Sequence, residues 1–170
     1  MINKTKLALG VFAMTLFSSG AIAQATATAT ATATIVTPIS ITKTVDMNFG
    51  NVAVQTAAGG TVVLTPLGVR SVTGGVTLPA VFGTVTAASF TVNGQGTYTY
   101  AITLPATATT LTSGANTMTA DTWTSSPSAT GALTAGTQTL SVGATLNVAA
   151  AQAAGLYVSG TPFNVTVNYN

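Results

Sequence analysis

Past residue 23 the chain carries only four charged side chains, Lys43, Asp46, Arg70 and Asp121, and the whole sequence has no histidine and no cysteine. Paired-carboxylate hydrolysis of a glycosidic bond needs two acids across one cleft, so it would require the fold to bring Asp46 and Asp121 together. A serine or threonine nucleophile has no histidine to deprotonate it. A Lys43-based dyad is open on spacing and nothing else in the sequence supports it. Zinc lacks its nitrogen and sulfur ligands. Calcium would have to draw on Asp121, Asn116 and carbonyls without a recognised loop spacing. Gly74-Gly75 and Gly94-Gln95-Gly96 lie between strand-like segments, with no following helix to cradle a phosphate. Trp123, the one tryptophan, is a candidate ligand platform on which a sugar could stack; the alternative is a tryptophan buried in the core. This inventory reads as a protein that is not an enzyme and uses no cofactor or metal.

The N-terminus reads as a secretory leader. Lys4 and Lys6 precede an apolar run from Leu7 to Phe17, and Ala21-Ile22-Ala23 supplies the small residues of a cleavage site. The run is too short to span a bilayer, which takes about 20 apolar residues. Cleavage is expected after Ala23, with Ala25 the alternative. The formal charge of +2 then belongs wholly to Lys4 and Lys6, and the mature chain is neutral. No basic patch remains for nucleic acid, and no transmembrane segment is expected in the mature chain. A surface this poor in charge has little repulsion to keep copies apart. The expected path is export through the periplasm to the cell surface or medium.

The elements that would position any site are strands. Residues 24–37 form an Ala/Thr-rich extension in which Ala25, Ala27, Ala29, Ala31, Ala33 and Ile35 all fall on odd positions. It reads either as a solvated spacer or as an extended donor strand that reaches about 45 Å at about 3.3 Å per residue. Ile35, Ile39 and Ile41 are the candidate donor residues. The domain is expected over 38–170. Its strand-like stretches are 39–49, 61–65, 69–73, 76–78, 88–92, 98–104, 117–124 and 136–148, with a helical turn at 149–154. Residues 106–116 read as loop. Asn93-Gly94 between two alternating runs predicts a tight hairpin. At the C-terminal end Phe163, Val165, Val167 and Tyr169 alternate with Asn164, Thr166 and Asn168, the pattern of a half-buried strand. These four apolar residues are the candidate assembly strand, with a companion that can come from a second molecule. Seven to ten short strands with Gly and Pro between them predict an all-β antiparallel sandwich or barrel.

Met47-Asn48-Phe49-Gly50, Phe90-Thr91-Val92-Asn93-Gly94, Gly143-Ala144-Thr145-Leu146-Asn147-Val148 and Phe163-Asn164-Val165-Thr166-Val167-Asn168-Tyr169 resemble the motifs of an uncharacterised family of small secreted bacterial β-sandwich proteins. That family is similar in layout to spore coat protein U-like and chaperone–usher pilin subunits. The resemblance implies an immunoglobulin-like sandwich that is incomplete and is completed by a donated strand. It implies a structural subunit of a fibre, pilus or surface layer, with related subunits, a periplasmic chaperone and an outer-membrane usher as partners. Tyr169, second from the end, agrees with that pattern. The extension departs from it, because pilin donor strands carry large alternating apolar residues and this one carries alanines. The alternative is a self-complete binding module or adhesin for a glycan or surface ligand.

Overall fold

The structure, a computed structural model, describes residues 24–170; the leader expected at 1–23 lies outside the described residues. Residues 24–34 are exposed and form no regular secondary structure. The compact unit runs from Ile35 to Asn170, close to the expected boundary at Pro38. Its regular structure is all strand, and no helix among the described residues is long and apolar enough to cross a membrane.

Thirteen strands follow in order: β1 Ser40–Val45, β2 Ala53–Val54, β3 Gly60–Leu64, β4 Arg70–Gly74, β5 Val76–Thr77, β6 Ala88–Asn93, β7 Thr99–Thr103, β8 Thr109–Ser113, β9 Asn116–Ser126, β10 Thr130–Ala132, β11 Thr137–Val148, β12 Val158–Ser159 and β13 Thr166–Tyr169. All the pairings are antiparallel. The large sheet has the order β1-β6-β11-β9-β8-β12, with β3 and β4 attached to β11; a second sheet has the order β10-β7-β13. The fold is an antiparallel β-sandwich, as the strand pattern predicts.

The twelve residues of β11 form the spine. Its first half pairs with β6 and its second half with β3, while β9 runs along its other side. Gly143 marks the change, because a Cβ there would run into the carbonyl oxygen of Leu64. Alternation along β11 turns Leu140, Val142, Ala144, Leu146 and Val148 inward. Two core clusters result. One gathers Leu140, Val142, Val92, Tyr100 and Val167 between β1-β6-β11 and the β10-β7-β13 sheet. The other gathers Leu146, Val148, Val62, Leu64 and Phe49.

Three local expectations are corrected. Residues 106–116 are not a loop: β8 lies there and turns through Gly114, at φ 59°, into β9. Residues 149–154 form a turn, with Ala151 at φ 50°, and no helix. The Asn93-Gly94 segment does not close a hairpin, since β6 and β7 belong to different sheets. Positive φ in this turn falls on Gly96, and Gly94 donates its N–H to the Gly136 carbonyl at 2.8 Å. The chain crosses from one layer of the sandwich to the other here. That crossing lets Val92 and Tyr100 meet in the core between the two layers, where each is fully buried.

Candidate functional site

The final strand is shorter than the alternation predicts: β13 begins at Thr166, so Phe163 and Val165 lie in the segment that leads into it and only Val167 and Tyr169 stand on the strand, although the alternation of burial runs through all four. Val167 is buried, Phe163, Val165 and Tyr169 are half-buried, and Asn164, Thr166 and Asn168 are exposed. One flank of β13 is taken by β7, with Thr166 opposite Thr103, Asn168 opposite Ala101 and Tyr169 opposite Tyr100. Asn170 extends the ladder, donating its N–H to the Thr99 carbonyl. Hydrogen-bonded and non-bonded positions alternate in an antiparallel pair, so Thr166, Asn168 and Asn170 spend their backbone groups on β7. The N–H and C=O groups of Val167 and Tyr169 point to the other flank. No strand of the described residues pairs with β13 on that flank.

Across that flank lies β1, the edge strand of the large sheet. Ile39 and Ile41 reach under it to pack with Val167, Tyr169 and Phe163 in one core cluster. The structure therefore separates the three candidate donor residues. Ile39 and Ile41 are committed to their own chain, with β1 paired to β6, and their role as donated residues is withdrawn. Ile35 is 97% exposed and remains available. Lys43 also lies on β1, where its Nζ donates to Asp46 Oδ1 at 2.7 Å in an exposed ion pair.

Between the segment that follows β1 and the segment that leads into β13 the sandwich opens into a cleft of about 840 Å³. Its apolar lining includes Met47, Phe90, Leu111, Met118, Trp123 and Phe163, and Lys43 and Asp46 stand at its edge. Nearby, Leu156 and Val158 expose 81% and 55% of their surface. The wall at residues 49–51 is pinned by Arg70, whose Nη1 donates to the carbonyls of Phe49 at 2.6 Å and Asn51 at 3.0 Å. Asn51 in turn donates its N–H to Phe82 O and its Nδ2 to Val81 O.

Trp123 reaches this cleft through a bulge. In a regular strand Met118 and Ala120 would face inward and Trp123 outward. The register between β9 and β11 shifts between Gly143 and Thr145, and Thr122 sits at φ 51°. The extra residue turns Trp123 back to the inner face, where its ring lies 4.4 Å from that of Phe163 and its Nε1 donates to Thr107 O at 3.4 Å. The candidate ligand platform is thus a half-buried wall of the cleft. The bulge has no signature in the sequence beyond that parity conflict.

The same bulge fixes Asp121, which accepts from Asn147 Nδ2 at 2.9 Å and from Thr122 Oγ1 at 3.0 Å. Asp121 lies on the face opposite Ala120 and Leu146 and does not line the cleft, whereas the exposed Asp46 stands at the edge of the cleft. The two acids are not brought to one cleft. Among the titrating groups, burial pushes the Tyr100 hydroxyl up from its ordinary value, and that hydroxyl donates to Gln138 Oε1 at 2.8 Å.

Sequence reasoning did not find the arrangement at the other end of β13. Tyr169 Oη accepts the N–H of Gln95 at 2.6 Å and donates to the carbonyl of Thr37 at 2.8 Å. Gln95 Oε1 accepts both the N–H and the Oγ1 of Thr37. The Tyr169 ring packs edge-on against Tyr98 with centroids 5.6 Å apart. Gly94 admits the hydroxyl, because a Cβ at that position would collide with it. The signal available in the sequence was Asn93-Gly94-Gln95-Gly96, which looked like a hairpin turn.

The chain matches no curated protein and no solved structure. A family model matches residues 39–169, nearly the whole compact unit, and the chain belongs to that family, DUF4402, a domain of unknown function.

Proposed function

We propose that this domain is a structural subunit of an extracellular fibre, pilus or surface layer, assembled by strand addition along β13 and not an enzyme. The observation that carries the proposal is the outward flank of β13. It presents unpaired backbone N–H and C=O groups beside an apolar gap and a cleft, and its own side chains hold no charge. In strand addition, backbone hydrogen bonds supply affinity and alternate side chains entering pockets supply register. The strand order supports the reading. The layers β1-β6-β11 and β7-β13 follow the A-B-E and C-F neighbours of an immunoglobulin sandwich, in which a further strand lies beside F.

The donor that fits is residues 24–36 of a second copy. This stretch is uncharged and forms no regular secondary structure of its own, and its Ile35 is exposed. A contact of this heterologous kind does not close on itself and generates a filament. Related subunits, or a chaperone and usher that hold the flank during export, are the other partners consistent with it. Export itself rests on the leader at 1–23. The test compares residues 24–170 with a version that begins at Thr37, which keeps Ile39 and Ile41 in place. The longer protein should form polymers that survive warm detergent, and the shorter one should stay monomeric. If both stay monomeric and equally stable, the proposal fails.

A second reading, a self-complete adhesin, is favoured by Trp123 in an open cleft. It predicts that simple sugars or glycans shift Trp123 fluorescence in the monomer in a saturable way.

A further inference from the structure

The gap between β1 and β13 has two unlike ends. At the end near Phe163 it opens into the cleft, with Met47 and Trp123 as walls. At the other end it is bridged by hydrogen bonds from Tyr169 to Thr37 and Gln95, and from Thr37 to Gln95. The bond from Tyr169 to Thr37 joins residues 132 positions apart. Together these bonds tie the first residues of the domain to its last strand and to the crossing between layers. From Phe163 to Tyr169 the distance is about 20 Å at about 3.3 Å per residue.

We infer that the Tyr169–Thr37–Gln95 clip is a stop for the incoming strand: the strand enters from the Trp123 end, and its register is set where its leading end meets Tyr169. The inference rests on the strand-addition reading and deepens it. A tract of alternating alanine and threonine is nearly identical after a shift of two residues, so its side chains alone fix register weakly. A hydrogen-bonded block at one end supplies what the repetitive sequence lacks. The clip also fixes polarity. The extension leaves each domain at Thr37, at the sealed end, while the mouth lies about 20 Å away along β13 at about 3.3 Å per residue. Donor and acceptor therefore sit at opposite ends of one strand, which orders the subunits head to tail.

Cysteine crosslinking tests this cleanly, because the chain has no cysteine of its own. Copies carrying Asn168→Cys, on the exposed face of β13, are mixed with copies carrying Thr26→Cys, Thr28→Cys, Thr30→Cys or Thr32→Cys and oxidised after assembly. With Tyr169 intact, one donor position should give about tenfold more crosslinked product than its neighbours two residues away. In a Tyr169→Phe background, without the hydroxyl, the donor positions should come within about twofold of one another, as a slipping register requires. The same profile is recorded with Gln95→Ala, which removes the two bonds from Thr37 to the Gln95 side chain and leaves the Tyr169 hydroxyl in place; it should broaden in the same direction. If both backgrounds keep the single dominant pair, or if the pairs are already even with Tyr169 intact, the stop is refuted while strand addition stands. If no donor position crosslinks and the protein stays monomeric, strand addition itself fails.

Discussion

The domain has two edge strands facing the same gap, and they are defended differently. β1 carries Lys43 in mid-strand, paired with Asp46, and its register to β6 breaks between Lys43 and Val45. β13, Thr-Val-Asn-Tyr, has no charge, no proline and no break in its register with β7. A lysine and a bulge are the usual means by which a sheet edge is kept from pairing with another chain. One edge has both and its neighbour has neither. In a chain with only four charges beyond residue 23, the placement of two of them on and beside β1 separates a guarded edge from an unguarded one.

The largest expected effect removes what both edges share. Leu140 is fully buried on β11 in the core cluster beneath β1 and β13. Leu140→Ala should cost about 2–5 kcal/mol, read by chemical denaturation, and should loosen both edges together. A loss confined to one edge, seen by hydrogen exchange, would show that the two are not supported by one core. Next, Val165→Lys gives the β13 segment the guard that β1 already has. Association should weaken at least about tenfold, or about 1.4 kcal/mol, measured by sedimentation. Unchanged polymer would mean that this edge is not the contact.

A smaller effect concerns pH. Tyr100 lies opposite Tyr169 on β7, and its raised pKa comes from burial. The unfolded phenol ionises at about 10 while the folded one keeps its proton, so the unfolded state binds fewer protons above that point. The stability due to the neutral buried ring is complete below about pH 10 and falls as pH rises from there through the higher folded value. Denaturation midpoints should therefore drop above about pH 10, and a Tyr100→Phe variant should lack that drop. A wild-type profile that is flat there contradicts the assignment. Smallest of all, Lys43→Thr should change stability by no more than about 1 kcal/mol, because its ion pair is exposed. It should nonetheless raise self-association through β1. Retention of a strictly monomeric truncated domain would show that the bulge alone guards that edge.

The strands rich in alternating β-branched and aromatic residues were legible in the sequence. The inward set of β11 and the half-buried face of β13 follow directly from period-two patterning. β8 was hidden because Ala106–Thr112 offers one large apolar residue, Leu111; the strand exists through its pairing with β9 and not through its own hydrophobicity. The crossing at Asn93-Gly94 was misread because a local turn signal does not say which sheet the next strand joins. Trp123 faces inward only because of a bulge created by the β9–β11 pairing. Tyr169 was legible as an inward-facing strand residue, but its hydroxyl contacts at Thr37 and Gln95 depend on tertiary closure.

The most direct test of strand addition at β13 is residue-resolved amide hydrogen exchange in the isolated domain starting at Thr37 and in the assembled protein containing residues 24–170. In the isolated domain the amides of Asn168 and Asn170, bonded to β7, should be protected, while those of Val167 and Tyr169 exchange quickly; on assembly Val167 and Tyr169 should slow to the rates of their neighbours. Val167 and Tyr169 amides that are already protected in the isolated domain, or that stay fast in the polymer, would contradict it.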